Sequence, residues 1–216
     1  MSRWEPNARE RLEQAAMDLY VERGFDETTV AEIATRAGLT ERTFFRYFAD
    51  KREVLFSGAA TLQELFTSSV ANTPDGAAPI DAVTAALDAV SPLFEERRSF
   101  ARRRQALIAA HAELRERELI KLASLAAAIA AALHVRGVRE PAASLAAETG
   151  ITVFKIAFQH WVDDREQRAL THHIRDSLEA LKAVTAGKKV AELPQKTSRA
   201  APASRPKRVR QPKRAR

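Results

Sequence analysis

Cysteine is absent from the 216 residues. That excludes disulfide frameworks, cysteine-ligated zinc, iron–sulfur clusters and thiol nucleophiles together, and it fits a reducing compartment. A glycine-rich phosphate loop, a Gly-x-Ser-x-Gly elbow and a His-Glu-x-x-His pair are also missing. An enzyme would lack its common nucleophile, phosphate cradle and metal pair. The five histidines, His111, His134, His160, His172 and His173, contain no pair at i, i+4. The adjacent His172 and His173 diverge by ~100° around a helix. No metal and no cofactor are therefore expected. No segment alternates β-branched residues with a period of two, the mark of a strand. Met1–Gln14 is charged throughout, unlike a secretory signal. The longest uncharged apolar stretch, Leu122–Val135, has 14 residues. It falls short of the ~20 that span a bilayer and reads as a buried Ala-rich helix, so no membrane partner is expected.

What is present is a chain of 45% hydrophobic and 29% charged residues, enough for a packed core. The net charge of +7 is unevenly placed. Residues 187–216 hold eleven Lys/Arg and one acid, giving +10, whereas residues 1–186 hold 24 basic and 27 acidic side chains, giving −3. The basic character belongs to a tail and not to the body. Four of the nine prolines lie in that tail, with almost no large apolar residue. Such a composition cannot offset its ordering entropy and predicts disorder from about Gly187.

The remainder reads as all-α. A first helix starts at Asn7 with Glu10 as a capping box and stops at Gly24. A second starts at Thr29 with Glu32 and carries Val30, Ile33, Ala34 and Ala37. Thr40 caps a third, to Phe48. Asp50 with Glu53 caps a fourth, which carries Val54, Leu55, Leu62, Leu65 and Phe66. Pro74–Gly76 marks a loop. A helix follows from about Ile80 toward Pro92, then a short one through His111 and a long one from Leu114 to Leu133. Two more cover about 142–162 and 164–186.

The informative segment is Thr29–Phe48. Two short capped helices flank Ala37-Gly38-Leu39, with glycine where a helix-turn-helix bends tightly. On the second helix Phe44 and Phe48 face inward, while Glu41, Arg42, Phe45 and Arg46 share another face. Such a helix presents its first residues to base edges in the major groove. A plain corner in a helical enzyme fits the same spacing.

The run Ala15-Ala16, Leu19, Gly24-Phe25, Thr28-Thr29-Val30, Ile33-Ala34, Ala37-Gly38-Leu39-Thr40, Thr43 to Phe48, Lys51 and Leu55 resembles the N-terminal domain of the TetR family nearly position by position. That resemblance implies a three-helix DNA-binding domain over residues 1–57, with its motif at 29–48. It also implies a helical ligand-binding and dimerisation domain over 58–186, ahead of the basic tail. Thr29, Thr40, Tyr47 and Lys51 match positions that contact phosphates, and Glu41, Arg42 and Thr43 match positions that reach bases. Phe45 stands where the family commonly has Tyr, and with Arg46 it completes the DNA-binding set. Losing that hydroxyl costs about 1 kcal/mol unless Arg46 compensates. The Arg-Thr-Phe-Phe-Arg-Tyr-Phe variant resembles an actinobacterial-type subgroup.

Phe100–Leu122 resembles the C-terminal domain of acyl-CoA-like ligand-binding regulators, including the mycofactocin-system regulator. A small-molecule effector, with an acyl-CoA as leading candidate, follows from that resemblance. The candidate ligand residues are Arg103, Arg104, His111, Thr152, Lys155 and Gln159. Three consecutive arginines, Arg102–Arg104, cannot all face one way, so a solvated face competes with an anion-binding one. Residues 145–162 are apolar on two stripes, one through Leu145, Thr149, Thr152 and Ile156 and another through Ala147, Ile151, Phe154, Phe158 and Trp161. The surplus suits a helix touching both core and a partner copy, or one deeply buried in a monomer. Phe154, Phe158, Trp161, Leu178 and Leu181 are the candidate interface.

The expected function is a bacterial, cytoplasmic, nucleoid-associated homodimeric repressor. It would be released from a double-stranded DNA operator by its effector. The alternatives are an architectural DNA binder driven by the basic tail and, less favoured, a helical enzyme.

Overall fold

The computed structural model describes residues 7–187, and the basic tail expected beyond Gly187 lies outside the described residues. Among the described residues there are nine α-helices and no strand. They are α1 (Ala8–Arg23), α2 (Val30–Arg36), α3 (Glu41–Tyr47), α4 (Ala59–Ala71), α5 (Pro79–Glu95), α6 (Arg98–Ala110), α7 (Ala112–Val135), α8 (Ala142–Asp163) and α9 (Leu170–Thr185).

Local signals explain most boundaries, and four differ from expectation. Asn7 adopts a left-handed conformation and makes no side-chain cap, so the expected capping box with Glu10 does not form. Asp50 accepts from the N–H groups of Arg52 and Glu53. It starts only a 3-10 turn, Glu53–Phe56, and α4 begins afresh after Gly58. Pro92 lies inside α5, with Pro79 in its first turn. Proline fits the first turn because its missing N–H would lack an intrahelical acceptor there. α9 starts at Leu170, because Asp164 accepts from the N–H groups of Glu166 and Arg168 and holds the preceding residues in a loop.

Buried side chains gather in two cores. The first joins α1–α3 and the 3-10 turn through Leu12, Ala16, Tyr20, Phe25, Ile33, Phe44, Phe48 and Phe56. It also takes in Ile108 of α6 and Leu114 of α7. The second joins α4, α5, α7, α8 and α9 around Phe66, Leu87, Ile129, Phe154, Phe158 and Trp161. α5 and α8 approach so closely at Gly150 that a Cβ there would lie 2.2 Å from Val83 Cγ1. By length and composition α7 is long and apolar enough to cross a membrane, which the 14-residue stretch alone does not reach. The fold uses Leu125, Ile129 and Leu133 of that helix as core.

Candidate nucleic-acid interface and its link to the helical domain

The helix-turn-helix is built from reciprocal local bonds. At the start of α2, Glu32 N–H donates to Thr29 Oγ1 at 3.2 Å, and Thr29 N–H donates to Glu32 Oε2 at 2.9 Å. At the start of α3, Thr43 N–H donates to Thr40 Oγ1 at 3.2 Å, and the two threonine hydroxyls lie 3.1 Å apart. Between them Gly38 takes φ 65°, and a Cβ there would meet Arg11 Nη2 at 2.8 Å. That guanidinium donates to the Ala37 carbonyl at 2.5 Å, so both the turn and the tether across it require glycine. Ion pairs brace α2 against α1: Arg36 with Glu22 at 2.8 Å and Arg23 with Glu32 at 2.5 Å.

Phe44 and Phe48 are buried in the first core with ring centroids 5.5 Å apart. That anchors α3 by its inner face, and Glu41, Arg42, Phe45 and Arg46 are left exposed on the outer one. Phe45 is 55% exposed. Arg46 folds back on Tyr47, with its guanidinium carbon 4.9 Å from the ring centroid and Nη2 donating to the hydroxyl at 3.2 Å. The N–H groups of Glu41 and Arg42, in the first turn of α3, have no intrahelical acceptor. The structure thus brings Thr40, Glu41, Arg42, Thr43, Phe45, Arg46 and Tyr47 together on one short helix.

Lys51 departs from expectation. Its ammonium donates to the carbonyls of Phe25, Asp26 and Thr28 at 2.8, 3.0 and 2.9 Å and lies 4.6 Å from the Phe25 ring centroid. All three acceptors lie in the α1–α2 loop, so Lys51 is a staple of that loop in this structure. Tyr20 completes the staple by donating to the Lys51 carbonyl at 2.6 Å. Burial, and secondarily Asp50, push that phenol above its ordinary range.

The six expected ligand residues do not converge. Arg103 pairs with Asp18 of α1 at 3.3 Å. Arg104 donates from Nε to the Leu55 carbonyl at 2.6 Å, pairs with Glu118 at 3.2 Å and lies over the Phe56 ring. Burial pulls its guanidinium below the ordinary arginine value, against the pull of Glu118. His111 packs on Phe25 at 5.2 Å, with Nδ1 3.8 Å from Asp26. These three residues serve the junction between the two cores. Thr152, Lys155 and Gln159 are exposed on the outer face of α8, where Gln159 bonds Asp163 at 2.9 Å. The physical reason is helical phase: neighbours on α6 point to opposite sides.

That phase reveals something the arginine run alone does not. Arg98 donates to the carbonyls of Trp161 and Arg168 at 2.6 and 3.1 Å, and Arg102 donates to the Val162 carbonyl at 2.8 Å. Arg97 pairs with Glu13 at 3.2 Å. α6 is therefore tied on one side to the end of α8 and on the other to α1 and the 3-10 turn. Arg117 and Lys121 of α7 add pairs to Glu53 at 2.5 and 3.1 Å. The spacing of Arg97, Arg98, Arg102, Arg103 and Arg104 carries the signal for such a two-sided helix.

The expected dimer residues also move. Trp161 is 0% exposed, Phe154 7% and Phe158 9% within the single chain. Phe94, Phe154, Phe158 and Trp161 form a chain of ring contacts spaced 5.4–5.6 Å. They are core, each large buried side chain contributing ~1.5–3 kcal/mol relative to exposure. Leu178 is likewise buried, and Leu181 is half-buried. On these two helices the large apolar residues offered outward are Leu145 and Ile156 of α8 and Val184 of α9, 63%, 47% and 60% exposed.

The sequence profile described as "Bacterial regulatory proteins, tetR family" matches residues 13–57. The chain is 35% identical over 82 residues to the HTH-type transcriptional regulator TcmR of Streptomyces glaucescens, a match covering 38% of this chain. The matched region spans about a third of that relative's length, 36%. The fold is similar to that of Thermus thermophilus FadR, a TetR family transcriptional repressor solved in complex with lauroyl-CoA. Identity there is 25% and the TM-score 0.51, with 92% of this chain and 100% of that one covered. FadR from Bacillus subtilis shares the fold with a TM-score of 0.57 at 18% identity, over 80% of this chain and 96% of that one. The caps and the outward-facing α3 lie within residues 13–57, the segment that is similar to bacterial regulatory proteins of the tetR family.

Proposed function

We propose that this chain is a one-component transcription regulator, a homodimeric repressor of the bacterial cytoplasm that acts on nucleoid DNA. A small molecule releases it from its double-stranded operator. The observation that carries the reading is α3, which buries Phe44 and Phe48 and leaves Glu41, Arg42, Phe45 and Arg46 exposed as a set. Glu41, Arg42 and Thr43 read bases, while Thr29, Thr40 and Tyr47 position the domain on phosphates. Residues 1–57 bind DNA, and residues 58–186 bind effector and partner copy. The partner copy is met through Leu145, Thr152 and Ile156 of α8 with Leu181 and Val184 of α9. Leu145, Ile156 and Val184 are exposed apolar side chains.

The effector is an apolar-tailed anion of the acyl-CoA class. The likeness of Phe100–Leu122 to acyl-CoA-type regulators, including the mycofactocin-system regulator, supports it. So does the likeness to the FadR that binds lauroyl-CoA. The tail lies among the apolar helices of the second core. Arg103, Arg104 and His111, spent on the junction, transmit its effect. Ligand favours one placement of the two α3 helices and DNA another, and the coupling is the difference in ligand affinity between those states.

The test has two arms. Selection from genomic fragments should return a sequence bound far more tightly than scrambled DNA. A thermal-shift panel of acyl-CoAs of several chain lengths should raise the melting temperature by mass action, and the stabilising members should release that DNA. Equal binding to every sequence with a steep salt dependence would point to an architectural binder driven by the tail. Stabilisation by no acyl-CoA would remove that ligand class.

A further inference from the structure

We propose that the exposed phenyl ring of Phe45 reads the 5-methyl group of one thymine beneath each bound α3 helix. This assignment rests on the DNA-binding reading above and adds to it a base preference and the group that sets it. α3 has seven residues, and its core contacts are made by Phe44, with Phe48 at the cap. Phe45 belongs to the other face and is more than half exposed. At 100° per residue it falls between Glu41 and Arg42, the two side chains best placed to reach base edges.

The ring has an edge contact to Phe44, with centroids 5.5 Å apart at 84°. Among the described residues no cation lies over its face. The neighbouring Arg46 guanidinium is instead held by Tyr47. A phenyl group has no donor or acceptor, so it cannot satisfy a phosphate oxygen, a purine N7 or a guanine O6. The major groove presents one apolar group, the thymine methyl. A water-exposed ring on the reading face therefore gains only by covering that methyl. The side chain that lacks a phosphate-seeking hydroxyl thus becomes a specificity element. Glu41 and Arg42 flank it with an acceptor and a donor for the adjacent base edges.

The experiment starts from a duplex obtained by selection on random DNA with the full-length protein. Each thymine in it is replaced, one at a time, by deoxyuridine, which removes only the methyl. The expected result is about fourfold weaker binding at one thymine per half-site, the factor for one methyl at ~0.8 kcal/mol. Phe45→Ala should be insensitive to that same replacement, and Phe45→Leu should keep part of the sensitivity. Circular dichroism melting of both variants confirms that an exposed position has been changed without unfolding. If no thymine-to-deoxyuridine change affects the wild type, or if Phe45→Ala is as sensitive as the wild type, the methyl contact is overturned and DNA recognition by α3 stands. If selection yields no preferred sequence at all, both readings fall.

Discussion

Arg104 Nε lies 2.6 Å from the carbonyl oxygen of Leu55, so a side chain of α6 closes the 3-10 turn that follows α3. Two residues earlier, Arg102 donates in the opposite direction, to Val162 at the end of α8. A shift of α6 relative to either core must break or carry one of these bonds. Directional bonds on both faces of one helix tie it to both cores. Arg104→Met should keep the packing on Phe56 but leave the Leu55 carbonyl and Glu118 without their donor. A destabilisation of about 1–3 kcal/mol is expected, read by urea unfolding. The effector concentration needed to release DNA should change as well. A variant with wild-type stability and wild-type effector response would remove Arg104 from the link.

Substitutions at Arg42 and Lys51 should separate base reading from holding of the fold. Arg42→Ala should lower discrimination between operator and scrambled DNA by about 1–3 kcal/mol, the worth of a good base contact. Lys51→Met should act on the fold instead. It strips the carbonyls of Phe25, Asp26 and Thr28 of a shared donor, so about 1–3 kcal/mol of stability should be lost. Mobility shifts on two duplexes and a thermal melt distinguish the two outcomes. An unchanged melt for Lys51→Met would return that residue to the phosphate contacts.

Signals confined to three or four residues were the readable ones. Thr29 with Glu32, Thr40 with Thr43 and the Gly38 bend are local, and each appears in the structure as spaced. Phe44 and Phe48 also announced the inner face of α3, because one amphipathic helix on a small domain has one side to bury. α8 was not decidable in this way. It carries apolar residues on two stripes, and periodicity says that both are apolar without saying which meets its own core. The larger aromatic stripe did, because filling the space between α5, α7 and α9 takes the bulkier rings. Asp50 shows the limit of capping logic: it satisfies two N–H groups, but what it starts is a 3-10 turn that ends at Phe56, and α4 is a separate helix.

The two stripes of α8 should respond oppositely to charge. Ile156→Glu alters an exposed site and should leave the monomer folded while dissociating the dimer. Phe158→Glu buries a carboxylate among Phe94, Phe154 and Trp161. An unpaired buried charge costs several kcal/mol, so it should unfold the domain. Sedimentation velocity with circular dichroism reads both effects. An intact dimer for Ile156→Glu and for Leu145→Glu would place the partner copy elsewhere.

Acid should weaken the α8–α9 loop. Arg168 donates to Asp164 at 2.9 Å, and His173, itself buried, lies 3.0 Å away. The Arg168 hydrogen bond, against opposing burial, and then the Glu166 N–H hold the Asp164 carboxyl far below its usual range. The unfolded chain therefore takes up the proton first as pH falls. The contribution is complete above about pH 4, near the ordinary aspartate value, and declines progressively beneath it. Glu32, held low chiefly by the Thr29 N–H, acts in the same direction. Asp164→Asn should be less stable at neutral pH, with a shallower loss of stability between about pH 4 and 2. Parallel stability profiles for the two proteins would exclude Asp164 as a contributor.

The basic tail should tune affinity without setting specificity. It carries +10 over residues 187–216, whereas residues 1–57 hold nine basic and eleven acidic side chains. Residues 1–57, of net −2, gain little long-range attraction to phosphate, so the cationic segment should supply what they lack. Each phosphate neutralised by Lys207, Arg208, Arg210, Lys213, Arg214 or Arg216 releases counterions and adds about 0.9 to the slope of log affinity against log salt. Such contacts carry no base information. A chain ending at Ala186 should therefore bind operator and random DNA more weakly by a similar factor, with a flatter salt dependence for both. Titrations of the two proteins on the two duplexes at two salt concentrations measure it. Unchanged affinities and slopes would mean that the tail does not touch DNA. Loss confined to the operator would mean that it reads sequence after all, which point charges on a phosphate backbone cannot do.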